Sequence, residues 1–202
     1  FKNWNTVAGG TGTAYAKSAS VKNLAASGTF NLYAQWNSAS VTYVPTRTGY
    51  TFGGWYTEAG CTTQKVGTNG VFTPNANITL YAKWTENTYT IAFNANGGTG
   101  TMSSITGVKY TASKTLTANA FTRSGYTFAG WATSASGSVA YADKASVSKL
   151  SATNGATVTL YAKWNIVNYT ISYTLNGGSV ATANPTSYNV TSADITLNNP
   201  TR

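Results

Sequence analysis

Residues 125–131, Gly-Tyr-Thr-Phe-Ala-Gly-Trp, repeat residues 49–55, Gly-Tyr-Thr-Phe-Gly-Gly-Trp, with one substitution. A second block, Leu-Tyr-Ala-Lys-Trp, follows each of them at residues 80–84 and 160–164, and residues 32–36 carry it with Gln in place of Lys. Blocks that recur in a fixed order are the sequence signature of a repeat array, in which each repeat is one supersecondary unit. We therefore expect function to come from a series of small modules.

The order of these blocks predicts four segments. Residues 85–164 carry every block and form a complete repeat, whereas residues 37–84 form a short repeat that lacks the opening strand and its Asn-Gly-Gly turn. Residues 1–36 match the second half of a repeat, because their opening residues align with residues 128–131. Residues 165–202 match the first half. The chain is thus expected to be a mature segment or a piece of a longer array.

The complete repeat is predicted to be mainly β. Residues 89–93, Tyr-Thr-Ile-Ala-Phe, alternate so that their large apolar side chains share one face. The Asn-Gly pair at residues 96–97 predicts a tight turn, since both residues accept positive φ at low cost. Gly54 and Gly130 predict a bulge or a close backbone approach within a strand. Only residues 143–150 are predicted to form a helical turn.

Composition narrows the function classes. The chain has 13 Lys and Arg against 4 Asp and Glu, a formal net charge of +9. These basic residues are scattered, so a nucleic-acid-binding arm is not expected. A diffuse positive field would attract anionic polymers such as teichoic acids or sulfated glycans, or it would simply keep the surface solvated. No apolar run reaches the ~18 residues of a membrane span, so membrane insertion is not expected either.

The sequence predicts no enzyme, no cofactor and no metal site. The chain has no His, which removes the commonest general base and metal ligand. Cys61 is the one thiol and has no obvious base beside it. A carboxylate pair assembled across repeats is the one catalytic alternative. The four acids fall at different places in the repeat, and no two are near neighbours in sequence: Glu58, Glu86, Asp143 and Asp194.

Aromatic residues give the strongest signal, with 6 Trp, 14 Tyr and 7 Phe. The recurrent Trp residues are expected to fill the core of each repeat or the contacts between repeats, because a small module needs large side chains to bury. In the closing strand, alternation places Tyr and Lys on the face opposite Trp. The candidates for ligand or inter-repeat contacts, with cross-strand pairing as the alternative, are Tyr33, Tyr81, Lys83, Tyr161 and Lys163.

Together these blocks resemble the internalin B-repeat family, also called the Listeria–Bacteroides repeat. The resemblance rests on residues 89–98, Tyr-Thr-Ile-Ala-Phe-Asn-Ala-Asn-Gly-Gly, on residues 45–56, Pro-Thr-Arg-Thr-Gly-Tyr-Thr-Phe-Gly-Gly-Trp-Tyr, and on the Leu-Tyr-Ala-Lys-Trp closers. It implies small β-grasp-like modules, arrayed in tandem on secreted or wall-attached bacterial surface proteins as stalks or adhesive parts. The family has no catalytic residues to transfer. Charge is sparser here than the family's acidic and basic examples lead us to expect.

Two functions remain open. The first is an extracellular stalk or fibre-forming array, in which short connectors such as residues 85–88 and 165–168 join neighbouring repeats into a semi-rigid rod. The second is a module that binds glycans or anionic wall polymers through the Tyr and Lys faces. We also expect that residues 165–202 of one chain could complete residues 1–36 of another, a heterologous contact that builds a head-to-tail fibre. A long array that was cut or only partly resolved is the simpler explanation of the half-repeats.

Overall fold

The computed structural model describes residues 1–22, 25, 28–36, 44–66 and 77–202, and of residues 64–66 the backbone alone. Every regular element among these residues is a β-strand, and none is a helix, which confirms the mainly-β prediction. Residues 37–43 and 67–76 of the short repeat lie outside the described residues, so its lack of an opening strand stays a prediction.

The predicted helical turn at residues 143–150 is wrong. A tight turn at residues 143–144 leads instead into a short strand, Ser146–Val147. Lys144 and Lys149 each have φ 57°, which lies in the left-handed region that a right-handed helix does not contain.

The described residues divide into two compact units, residues 1–46 with 52–84, and residues 47–51 with 85–202. The first six strands form two sheets of three. In the first, β1 pairs antiparallel with both β2 and β3, and in the second β4 lies between β5 and β6. These strands are β1 Asn3–Asn5, β2 Ala14–Tyr15, β3 Tyr33–Gln35, β4 Tyr50–Tyr56, β5 Gln64–Val66 and β6 Tyr81–Glu86.

The complete repeat forms a four-stranded mixed sheet in the order β10-β12-β7-β8. Its central strands β7 and β12 run parallel, and the outer pairs are antiparallel. Two further sheets contain two short strands each, β9 with β11 and β13 with β14. These strands are β7 Thr88–Asn94, β8 Ile105–Lys109, β9 Lys114–Thr115, β10 Tyr126–Ala132, β11 Ser146–Val147, β12 Thr157–Ile166, β13 Tyr169–Thr170 and β14 Ser187–Tyr188.

One face of the four-stranded sheet supplies most of the core, as the alternating pattern predicts. Tyr89 and Ile91 of β7 are buried together, and Leu160 and Ala162 of β12 are buried beside them. Trp131 of β10 joins this cluster, with its ring centroid 4.8 Å from that of Phe93. Such rings contribute a large buried apolar area to a small module. The rest of the buried cluster is Val108, Leu116, Phe121 and Val147.

The predicted special backbone positions are confirmed in this repeat. The register between β10 and β12 shifts between Phe128 and Gly130, and a Cβ on Gly130 would lie 2.8 Å from the Tyr141 carbonyl oxygen. The Asn96-Gly97 pair forms a tight turn, with φ of 47° and 87°. Both the bulge and the turn therefore follow from the local sequence.

The six Trp residues do not share one environment. Trp131 is buried, and Trp55, Trp84 and Trp164 are half-buried. Trp4 is exposed and Trp36 is 71% exposed, so the prediction of burial is wrong for these two. They contact Phe1, at ring distances of 5.2 and 5.9 Å. Residues 1–36 lack the first half of a repeat, which supplies Phe93 and Phe121 to the complete repeat.

Candidate functional site

The predicted contact residues lie at equivalent places on three closing strands, on the face opposite the Trp residues. Tyr33 of β3 and Tyr81 of β6 are exposed, and Lys83 is exposed beside Tyr81. Tyr161 and Lys163 of β12 are half-buried. Tyr and Lys two positions apart on one strand face thus form a pair in β6 and in β12.

The fourth residue of the Leu-Tyr-Ala-x-Trp block makes a hydrogen bond that the sequence did not reveal. In all three copies its side chain donates a hydrogen bond to a carbonyl oxygen in the loop after β1, β4 or β10, the strand that contains Trp4, Trp55 or Trp131. The bonds run from Gln35 Nε2 to Ala8 O over 3.0 Å, from Lys83 Nζ to Cys61 O over 3.4 Å, and from Lys163 Nζ to Ala135 O over 3.5 Å. Gln serves as well as Lys here, so the contact depends on a donor rather than on charge.

Each Lys of the candidate face also has a neighbour that limits its freedom. Lys83 Nζ lies 5.2 Å from the ring centroid of Tyr56, within cation–π range. Lys163 pairs in register with Gly130 of β10. The ammonium group of Lys83 is therefore partly committed to the fold, and the exposed members of the set are Tyr33, Tyr81 and Lys83.

The carboxylates of Glu58, Glu86 and Asp143 accept hydrogen bonds from backbone amides. Glu58 accepts from Thr63 N and from Thr62, through its amide at 2.7 Å and its hydroxyl at 2.9 Å. The hydrogen bond from the Thr63 amide is the main cause that lowers the pKa of Glu58 from 4.5 to about 2, and those from Thr62 and Thr57 add to it. Since these bonds stabilise the charged form, Glu58 stays ionised and holds its turn closed.

Two other acids have comparable roles. Asp143 accepts from Asn119 N over 2.9 Å and from Lys144 N over 3.1 Å. Glu86 accepts from the hydroxyl and the amide of Thr111, and these bonds are the main cause that holds its pKa below 4.5. The bonds to Glu58 and Glu86 favour the ionised form of each, which makes these two groups poorly placed to donate a proton.

An open groove of about 450 Å³ lies at the end of β7, between Phe93, Met102 and Phe121. Its polar rim is engaged within the fold, because the Asn96 side chain donates to Ala135 O and to Ala162 O over 3.0 and 2.9 Å. Asn94 accepts from the Asn96 amide over 2.8 Å. The two asparagine side chains at the groove are therefore already used within the fold.

The described part of the chain holds no group of three Cys, Asp or Glu side chains placed to bind a metal ion. Within the same residues, we find no helix with the length and hydropathy needed to cross a membrane.

The repeated sheet strands, turns and closing blocks have a counterpart in a known family. The profile of the Listeria-Bacteroides repeat domain matches residues 26–83 and 89–163. The chain belongs to the Listeria-Bacteroides repeat family. This confirms the resemblance that the motifs show. Membership in this family of repeats indicates a bacterial surface protein with a structural or surface role, and it favours a protein without enzymatic activity.

Individual relatives are much longer than this chain. A putative membrane protein of Evansella cellulosilytica is 34% identical over 139 residues, 67% of this chain and 19% of that protein. A putative Gly-rich membrane protein of the same bacterium is 32% identical over 138 residues, 67% of this chain and 14% of that protein. Internalin H of Listeria monocytogenes is 40% identical over 89 residues, 43% of this chain and 15% of Internalin H. The chain thus spans a small part of the length of these proteins. No solved structure matches it.

Proposed function

We propose that this chain is a non-enzymatic part of an extracellular array, secreted or attached to the bacterial cell wall, that acts as a stalk or builds a fibre. Its Listeria-Bacteroides repeats are β-grasp-like modules joined into a semi-rigid rod. The sheet order of residues 85–164, with a parallel central pair and antiparallel outer strands, supports a β-grasp-like module.

One observation carries this proposal: the residues that recur from repeat to repeat are used to hold the repeat together. Trp131 and Leu160 lie in the core, and Asn96 fastens its turn to β12 and to residue 135. The Lys or Gln of the closing block holds the neighbouring loop. When recurrent residues build the module, the array supplies length and stiffness rather than a site.

Small-angle X-ray scattering of the chain tests the rod. A compact globule of 202 residues has a radius of gyration of about 17 Å. A rod gives a clearly larger radius and a linear cross-section region in the scattering curve. A monodisperse sample near the compact value contradicts the proposal.

A second candidate function is binding of glycans or anionic wall polymers, and the exposure of Tyr33, Tyr81 and Lys83 favours it. Aromatic faces stack on sugar rings, and the net charge of +9 attracts polyanions. The test is binding of purified wall teichoic acid, measured by calorimetry on the chain and on two single variants. Lys83→Gln removes the charge and keeps a donor such as Gln35, and Lys22→Gln removes the same charge at another exposed position.

Site-specific binding predicts that Lys83→Gln weakens the interaction several-fold more than Lys22→Gln does. Equal small losses indicate a diffuse charge effect, and absence of binding by the unmodified chain rejects this second function.

The head-to-tail contact remains a further proposal about partners. Phe1, Trp4 and Trp36 form an exposed aromatic cluster, whereas Trp131, the equivalent of Trp4 in the complete repeat, packs against Phe93. A first half-repeat, such as residues 165–202 of a second chain, carries the strand that would cover this cluster. Sedimentation velocity at rising concentration tests it, and a species that stays at 21.1 kDa contradicts self-assembly.

A further inference from the structure

The Gly-Tyr-Thr-Phe block begins with a tight turn that is built in the same way twice. Tyr50 N donates to Arg47 O over 3.0 Å, and Gly49 has φ 78° at the third position, where a type II turn needs a left-handed residue. In residues 123–126 the bond measures 3.1 Å, and φ at Gly125 is 75°. In both turns the first residue is Arg, and its guanidinium lies 3.8 or 4.0 Å from the ring centroid of the Tyr that closes the turn.

Each turn is hydrogen-bonded to the connector that leads into the following repeat. The Gly49 carbonyl accepts from Asn87 N, and the Gly125 carbonyl accepts from Val167 N, both over 2.9 Å. Asn87 and Val167 are equivalent, because each lies three residues after the Trp that ends its closing block. The first contact lies within one compact unit, since residues 47–51 group with residues 85–202.

A side chain of the following repeat then covers the glycine. A Cβ on Gly49 would lie 2.0 Å from Tyr110 Cδ1, and one on Gly125 would lie 2.5 Å from Val190 Cβ. Tyr110 and Val190 are equivalent in the two repeats. The first Tyr of each opening strand pairs with a residue of the neighbouring strand, and Tyr110 or Val190 lies two residues after that paired residue. Both distances are too short for any residue other than Gly.

We propose that this turn is the docking surface between consecutive repeats, with the following repeat as its partner. The first clasp comprises residues 47–50 with Asn87 and Tyr110, and the second comprises residues 123–126 with Val167 and Val190. Each clasp fixes the connector, which would otherwise act as a hinge between consecutive repeats. This inference rests on the proposed array and names the contact that makes it stiff.

The two clasps differ in strength because their connector residues differ. The Asn87 side chain accepts from Thr51 Oγ1 over 2.6 Å and donates to Ala152 O over 2.7 Å. Val167 supplies its backbone amide alone to the second clasp. The first clasp is therefore the stiffer of the two. The substitutions Asn87→Val and Val167→Asn exchange the two connector residues and should exchange the stiffness of the two clasps.

Amide hydrogen exchange in the whole chain, followed by NMR, tests the clasp at the Asn87 amide. Gly49→Ala places a Cβ against Tyr110, whereas Gly177→Ala is a matched control with φ 83° and no atom within 4 Å of the added Cβ. We expect Gly49→Ala to speed exchange at Asn87 at least tenfold and Gly177→Ala to leave it unchanged. Equal effects of the two variants, or an Asn87 amide that exchanges like an unfolded peptide, overturn the proposal.

Tyr110→Ala keeps the test decisive if Gly49→Ala fails to fold, because it removes the covering ring and adds no strain. It is expected to speed exchange at Asn87 several-fold, and no change contradicts the docking role of Tyr110. The double variant Gly49→Ala with Tyr110→Ala loses the collision and is expected to exchange more slowly than Gly49→Ala alone. A double variant as fast as Gly49→Ala shows that the collision is not the cause.

The outcome is separable from that of the proposed function. Rod-like scattering with an unprotected Asn87 amide rejects the clasp and supports the array. Compact scattering with a protected Asn87 amide supports the clasp and rejects the rod-like array.

Discussion

Residues 85–164 and residues 165–202 begin with the same motifs and share a tight turn and an isolated bridge, but their burial differs. Asn96 and Asn176 both have φ 47°, and the bridge between residues 99 and 122 recurs between residues 179 and 201. Yet Tyr89 is 1% exposed, whereas its equivalent Tyr169 is 42% exposed.

The difference lies in the strands that follow. Strand β7 has seven residues and pairs with β8 on one side and β12 on the other. Strand β13 has two residues, and among the described residues it pairs with β14 alone. The opening half therefore makes its turn and its first strand contact from local sequence, and it needs a closing half to lengthen the strand and bury its face.

The largest expected effect comes from removing the closing half's main core side chain, by Trp131→Ala. Trp131 is 0% exposed and packs on Phe93, Phe121 and Phe128. Its loss is expected to destabilise residues 85–164 by about 3–5 kcal/mol, because truncating a buried aromatic costs both transfer energy and a cavity. Chemical denaturation followed by circular dichroism gives the free energy of unfolding, and Trp36→Ala at an exposed position is the control, with a change within about 0.5 kcal/mol.

If the comparison is right, Trp131→Ala makes the opening strand of the complete repeat resemble β13. Amide exchange at Tyr89 should then approach the rate at Tyr169. A variant that loses stability while Tyr89 stays protected shows that the opening half holds itself together.

A direct test of the comparison truncates the same residue in both regions, by Ile91→Ala and Ile171→Ala. Ile91 is fully buried and Ile171 is half-buried. Ile91→Ala is expected to cost about 2–4 kcal/mol of unfolding free energy, and Ile171→Ala less than about half of that. Equal costs, measured by the same denaturation, would mean that residues 165–202 bury their strand in solution as residues 85–164 do.

Sequence patterns predicted the parts of this fold that local chemistry decides. Alternation identified the buried face of β7, the Asn-Gly pair identified the turn, and Gly130 identified the bulge. The burial of a Trp could not be read from its motif, since Trp36 and Trp164 end similar blocks and differ in the strands packed against them. Residues 143–150 were misread because Lys144 takes a left-handed turn.

The candidate site was only partly predictable for a related reason. Alternation placed Tyr81 and Lys83 on the open face of the closing strand, which is where they lie. It could not show that Lys83 also holds a loop carbonyl, because that carbonyl is at Cys61, far along the chain. The Gln in the first copy was the available signal: a position that accepts Gln and Lys alike points to a hydrogen-bond donor.

A smaller effect is expected at the turn that both regions share. Asn96 donates to Ala135 O and Ala162 O, in the closing half, whereas the Asn176 side chain has no hydrogen bond within the described residues. Asn96→Ala and Asn176→Ala lose the same tolerance of positive φ, so the difference between them measures the two bonds. We expect Asn96→Ala to cost about 1–3 kcal/mol more in urea denaturation. Matched losses would show that turn strain alone sets the cost.

The smallest predicted effect is a pH dependence that residues 85–164 show and residues 165–202 do not. Thr111 donates its amide and hydroxyl to the Glu86 carboxylate, whereas its equivalent Thr191 donates both, over 3.0 and 2.8 Å, to the amide oxygen of Asn189. The Thr111 bonds lower the pKa of Glu86 from its ordinary value of 4.5. A carboxyl group whose pKa is lowered by folding stabilises the fold at pH values above its pKa in the unfolded chain. This stabilisation is lost as the pH falls through the pKa of the folded state.

Acidification below pH 4.5 is therefore expected to release Thr111 and to leave Thr191 in place, because only the first acceptor takes up a proton. Amide chemical shifts of the two threonines, followed by NMR between neutral pH and the acid limit of folding, measure this directly. Glu86→Gln keeps an acceptor oxygen and removes the titration, so it should flatten the Thr111 curve to that of Thr191. If Thr111 still titrates in Glu86→Gln, the pH dependence comes from another group. Comparison of these curves then shows whether the charge of Glu86 is needed to hold residues 85–88 against Thr111 or whether the hydrogen bonds suffice.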